Sequence, residues 1–142
     1  MGKDSPIKRL AETARGASNS LIVIQNIPDP DAIASAAALK HILAEQVNVN
    51  SVIAHEGMVG RAENRGLLRY LGLELAQIPQ LRIESFDLLS TVDTQPQFTN
   101  NSLPDGVKCN IVIDHHDTDG EMASADFVDV RPDCGATSTI LT

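Results

Sequence analysis

Apolar residues in this chain fall into short continuous runs separated by stretches with a helical period. Residues 21–24 form one such run ahead of a proline-rich turn, as a buried strand does. Residues 49–54 alternate enough to be a second strand, and residues 86–92 and 109–113 supply two more. Between them the apolar spacing changes. Residues 6–15 fit a short helix, and the alanine-rich residues 32–43 fit a longer one with Asp31 at the N-cap position. Residues 62–71 read as an amphipathic helix closed by Gly72. Strands that alternate with helices imply an α/β fold with a mostly parallel sheet flanked by helices. Residues 95–105, rich in Pro, Asn, Ser and Thr, read as the longest loop. Residues 135–142 read as the opening turns of a helix, so the chain is expected to be a fragment of a longer polypeptide.

Composition narrows the classes without choosing among them. The 142 residues, 42% hydrophobic and 21% charged, suit one soluble globular domain with a real core. No apolar run is long enough to span a bilayer, and residues 1–6 lack the apolar stretch of a signal peptide, so the expected location is the cytoplasm. Cys109 and Cys134 have no CxxC spacing and are expected to be reduced core residues. A formal net charge of −8 disfavours a long nucleic-acid duplex, which is held mainly by Lys and Arg on phosphate. Phosphates of small substrates stay admissible where bound cations reverse the local field.

The chemistry gathers at strand ends. The run at 21–24 leads to Asp29 and Asp31, that at 86–92 to Asp93, and that at 109–113 to Asp114, His115 and His116. Open α/β sheets hold their ligands at such ends. Asp29 and Asp31 could take neighbouring positions around two cations, with Asp93 bridging them and His115 adding an imidazole. Carboxylates mixed with imidazole suit Mn²⁺, with Mg²⁺, Co²⁺ or Zn²⁺ less favoured. Two such metals, roughly 3.5 to 4 Å apart, would activate a bridging water and neutralise a phosphate, while His116 touches the phosphoryl oxygens or protonates a leaving group. Each residue also has a plainer reading, since a strand-end Asp is commonly a turn or cap residue. The conjunction of three strand ends favours a site.

Asp29 to Ser35 in the pattern Asp-Pro-Asp-Ala-Ile-Ala-Ser, Asp93 after a strand, and the triplet Asp114-His115-His116 resemble motifs I to III of the DHH phosphoesterase superfamily. Glu63-Asn64-Arg65, Val92 to Pro96 and Gly135 to Thr139 are similar to stretches of members that hydrolyse short oligonucleotides, cyclic dinucleotides or related phosphates. The resemblance implies a DHH-type domain over residues 21–142, truncated at its C-terminus, with a parallel sheet of about five strands and residues 1–20 as a helical extension. It implies that Asp29 binds a first Mn²⁺, Asp31 and His115 a second, and Asp93 both. Asp114 and His116 would act in catalysis, and Ser35, Thr137 and Ser138 would contact substrate. The family has a His where this chain has Gln25, a far poorer metal ligand, and a further Asp expected beyond Thr142. The implied partners are a small phosphorylated substrate and a C-terminal DHHA1 domain absent from this chain, with a homodimer admissible and no membrane. The implied function is Mn²⁺-dependent phosphoester hydrolysis of small nucleotides or short oligonucleotides. The alternative is a degenerate nucleotide-binding or regulatory module without turnover.

Overall fold

The structure, a computed structural model, describes residues 4–118 and 124–142. Residues 1–3 of the expected N-terminal extension lie outside the described residues. Helix α1 (Pro6–Ala14) precedes β1 (Asn19–Val23), α2 (Pro30–Val47), β2 (Asn50–His55), α3 (Ala62–Leu71) and β3 (Leu75–Gln77). Two 3₁₀ turns, Ile78–Gln80 and Ile83–Ser85, then lead to β4 (Leu88–Val92), β5 (Ile111–Asp114), β6 (Phe127–Val130) and a one-turn helix α4 (Thr137–Ile140). The six strands form one sheet in the order β3-β2-β1-β4-β5-β6, and every neighbouring pair is parallel. The chain therefore reverses its direction of winding between β1 and β4, and an open α/β sheet offers its crevice at such a switch point.

Two strands exceed the sequence reading, and both lie at sheet edges. β3 is three residues long and half-buried throughout, too short to show a period. β6 sets Phe127 and Asp129 on one face and Val128 and Val130 on the other, with Phe127 alone buried, and Arg131 clamps Asp129 through two contacts of 2.7 Å. The long helix begins at Pro30, two residues before the expected start, and its N-cap is Asp29, whose Oδ1 accepts from the Ala32 N–H at 2.9 Å. Asp31 is instead in the first turn. The proline explains the shift, because its fixed φ and missing N–H suit the first helical position. Gly72 closes α3 in the left-handed conformation, as its place in the sequence predicts.

The sheet has two unlike faces. One is covered by helices, with Leu10 and Ala14 of α1, Ala32, Ala36, Leu39 and Leu43 of α2, and Phe127 buried against the strands. Small alanines let α2 approach the sheet closely, and Arg9 of α1 lies over the Phe127 ring at 5.5 Å. The N-terminal helix is thus packed into the main core. The other face, built on Leu21, Val23, Leu89 and Val112, is covered by the 3₁₀ turns and by loop residues such as Leu103 and Val107. No helix among the described residues is long and apolar enough to cross a membrane.

Candidate metal centre

Three loops leave the C-terminal ends of β1, β4 and β5 and converge where the winding reverses. Asp93, first after β4, adopts a left-handed backbone with φ 57°, unusual for a residue with a side chain and tolerated by Asp. That turn accompanies a carboxylate that is only 1% exposed beneath the site. His115, two strands from β1, places Nε2 3.5 Å from Asp93 Oδ1 and 3.7 Å from Asp31 Oδ2. The orientation has a cause: His115 Nδ1–H donates to the Cys134 carbonyl at 3.1 Å, which leaves Nε2 turned to the carboxylates. A backbone carbonyl behind one ring nitrogen is how proteins commonly aim the other at a metal. Ligand atoms of Asp93, His115 and His116 all lie within 4.8 Å of one another.

The carboxylates differ in what surrounds them. Asp31 accepts the Thr137 N–H on Oδ2 and the Ser138 N–H on Oδ1, both at 2.9 Å, and lies 3.4 Å from the Ser35 hydroxyl, which donates to it. Burial pushes its carboxyl up, but the bonds from Ser138 and Thr137 together outweigh that and hold it below the usual range. Asp93 has one side-chain donor, the Thr137 hydroxyl at 2.9 Å. Burial, reinforced by the charges of Asp31 and Asp29 and only partly offset by Thr137, pushes Asp93 up to about 7.

His116 is anchored differently. Its Nδ1–H donates to Asp114 Oδ1 at 2.7 Å, and its ring is tilted against that of His115 at 4.3 Å between centroids. Burial lowers its affinity for a proton, yet the hydrogen bond and charge of Asp114, with Asp93 and Asp29 behind it, raise it above the ordinary histidine value. Asp114 itself is fully buried and also accepts from the His115 N–H and from Gln95 Nε2 at 2.8 Å. Its Oδ1 is directed at the His116 ring.

The structure thus brings Asp93, His115 and His116 together, with Asp31 alongside and Asp29 close enough for its charge to act on Asp93 and His116. Ser35 and Thr137 are fully buried, and their hydroxyls are directed at Asp31 and Asp93. Ser138 offers its N–H to Asp31. Gln25 is half-buried just beyond β1. Sequence reasoning assigned no role to Gln95, whose buried amide donates to both Asp114 and the His116 carbonyl. Its cue is its place two residues after Asp93. Asn64 was also missed as a support: it reaches from α3 to the Pro28 carbonyl at 3.0 Å, pinning the turn that carries Asp29.

Residues 19–142 match the DHH family, N-terminal domain. The chain belongs to the DHH family. It is similar to "Uncharacterized protein MJ1633" of Methanocaldococcus jannaschii, 38% identical over 136 residues, which cover 94% of this chain and 27% of that protein. Its fold is similar to that of an exopolyphosphatase-related protein from Bacteroides fragilis, with a TM-score of 0.63 at 14% identity, covering 96% of this chain and 41% of the other. This DHH domain therefore spans about a quarter of its archaeal relative's length and less than half of the bacterial one's.

The residues at the centre fit a divalent cation. Buried Asp93 shares its surroundings with Asp29 and Asp31, a crowding of like charges that a cation would relieve, and two imidazoles face the same space. The mixture of carboxylate oxygen and imidazole nitrogen is a transition-metal donor set rather than one for Ca²⁺.

Proposed function

We propose that this chain is the catalytic domain of a Mn²⁺-dependent phosphoesterase acting on phosphate esters of small nucleotides or short oligonucleotides. The observation that carries this reading is the convergence of Asp93, His115 and His116 within 4.8 Å at the switch point of the sheet. Asp93, His115 and Asp31 would hold the metal, with Asp29 at its outer edge and Mg²⁺ or Co²⁺ as alternative occupants. When bound, a pair of cations supplies charge neutralisation at the phosphoryl oxygens and activation of the attacking water. Asp93 must give up its proton before it ligates. His116, with Nδ1 fixed by Asp114, holds a proton at Nε2 and hands it to the leaving oxygen. Gln95 keeps Asp114 in place, and so keeps His116 aimed. In this reading the protein works in the cytoplasm, with a DHHA1-type domain closing over the substrate.

A second reading, a nucleotide-binding module without turnover, is favoured by Gln25, an amide at a place where the family's pattern has an imidazole. One set of measurements separates the two. Mn²⁺ binding by calorimetry should be present in this chain and lost in Asp93→Asn, and bis-p-nitrophenyl phosphate should be hydrolysed by a longer polypeptide carrying this domain. Absence of Mn²⁺ binding would overturn the phosphoesterase reading. Binding without turnover, with turnover gained in Gln25→His, would establish the second.

A further inference from the structure

A groove of about 600 Å³ opens at the ends of β2 and β3, on the same edge of the sheet as the metal centre and separated from it by β1. Met58, Val59, Leu68 and Leu75 line it with apolar surface, Arg65 and Arg69 line it with charge, and no carboxylate among the described residues lines it. That absence stands out in a chain of net charge −8. Arg61, Arg65 and Arg69 recur every fourth residue and so share one face of α3. Arg65 uses one guanidinium nitrogen to brace the Val59 and Gly60 carbonyls, at 3.2 and 3.0 Å, and its other N–H groups meet no acceptor among the described residues. The Arg61 and Arg69 side chains have no hydrogen-bond or ion-pair partner among the described residues.

Helix physics does not account for this stripe. Arg69 in the last turn complements the helix dipole, but Arg61 is the N-cap of α3, where Ser, Thr, Asp or Asn is favoured, and it makes no side-chain cap bond. A cation there opposes the dipole. An anionic ligand gives it a reason. Met58, 80% exposed on the adjoining loop, offers apolar surface next to the arginines.

Short links tie the groove to the loop between β1 and α2 that leads to Asp29 and Asp31. His55 at its base lies 3.3 Å from the Asn26 carbonyl, and Asn64 of α3 holds the Pro28 carbonyl. From β4, which carries Asp93, to β3 is three strand spacings, about 14 Å. About four stacked nucleotides at roughly 3.4 Å each cover that distance. We propose that this groove is a second binding site, which takes the distal phosphates of a single-stranded oligonucleotide on Arg61, Arg65 and Arg69 and a base on Met58, while the scissile phosphate lies at the metal centre. The place of the scissile phosphate rests on the phosphoesterase reading; the groove's hold on the distal phosphates and base does not. Arginine suits phosphate by its planar fork of donors, and the apolar lining selects a base-bearing chain over inorganic polyphosphate.

The test is the affinity of this chain for 5′-fluorescein-labelled pentaadenylate, read by anisotropy in EDTA, with thermal unfolding of each variant as a check of folding. Arg69→Glu and Arg61→Glu should each weaken binding about tenfold or more, and Arg69→Ala should flatten the slope of log Kd against log salt by about 0.7. Met58→Ala should weaken pentaadenylate and leave competition by inorganic polyphosphate unchanged. No binding by the unaltered chain, or an unchanged Kd in Arg69→Glu, overturns the proposal, as does polyphosphate competing as well as unlabelled pentaadenylate. Because no metal or turnover enters this assay, its failure leaves the phosphoesterase reading untouched, and a failure of Mn²⁺ binding leaves the groove untouched.

Discussion

Two carboxylates that both approach His115 are held at opposite ends of the carboxylate range. At the start of α2, Asp31 meets two backbone N–H groups of the α4 turn and is stabilised as an anion. At the end of β4, Asp93 is buried with one hydroxyl donor and two carboxylate neighbours, and is pushed up to about 7. Chain chemistry is identical in the two; the supply of donors is not. The pair is therefore arranged so that at neutral pH one acid is ionised while the other is still titrating, and a cation would complete its ionisation.

Removing the second member should have the largest effect. Asp93→Asn should weaken Mn²⁺ binding by about a hundredfold or more in calorimetry, because the ligand shared with His115 is lost. In the unaltered chain Mn²⁺ affinity should climb with pH up to about 7 and level off above it, as the proton on Asp93 stops competing. The stability of the metal-free chain should run the other way. A carboxyl whose native pKa lies above its unfolded value binds more proton in the native state, so stability present below the ordinary aspartate value of 3.8 is lost as pH rises through about 7. Asp93→Asn should abolish that slope in denaturant titrations between pH 4 and 8. A variant that keeps the slope would show that another group carries it.

Asp31 should titrate in the opposite sense. Its stabilising contribution is present above the unfolded pKa and lost as pH falls through the lower native one, in acid where Asp93 is already protonated in both states. Asp31→Ala orphans the Thr137 and Ser138 N–H groups and should cost about 1–2 kcal/mol at neutral pH, less in acid. An equal loss at pH 3 and pH 7 would mean that packing, not charge, holds the α4 turn.

The His115-His116 corner permits a similar dissection. Gln95→Leu removes the donor to Asp114 Oδ2 and to the His116 carbonyl inside a buried network, and should destabilise by about 1–3 kcal/mol. Because His116 is aimed through Asp114, hydrolysis by a longer polypeptide should fall in kcat with little change in KM, and Gln95→Glu should not rescue it, since it brings a second carboxylate against Asp114.

Much of this was legible in the chain, and the physical reasons are uneven. β1, β4 and β5 are buried on both faces, so they read as continuous apolar runs and marked the three strand ends where Asp29, Asp93 and His115 follow. β3 and β6 lie at the edges, half-buried and short, and carry little signal. The polar supports were least visible. The donors to Asp31 are backbone N–H groups 106 and 107 residues away, and the partner of His115 Nδ1 is a carbonyl, none of which depends on a distinctive side chain. Ser35, Thr137 and Ser138 stood out by residue type, but the structure alone shows what they face. Asp31 looked like a cap because it precedes an alanine run, and Pro30 moved that office to Asp29.

The smallest effect tests the contrast most directly. Thr137 serves both carboxylates, its N–H on Asp31 and its hydroxyl on Asp93. Thr137→Val keeps the shape and the N–H while removing only the hydroxyl, so Asp31 should be unaffected and Asp93 should lose the one bond that lowers it. Asp93 should then titrate at higher pH, and the pH at which Mn²⁺ affinity levels off should rise with it. At neutral pH the affinity should fall severalfold, up to about tenfold, as expected for a partner behind a ligand, and the deficit should shrink as the pH is raised. A deficit that stays constant with pH would mean that the hydroxyl positions Asp93 without setting its charge, and the difference between the two carboxylates would then rest on burial alone.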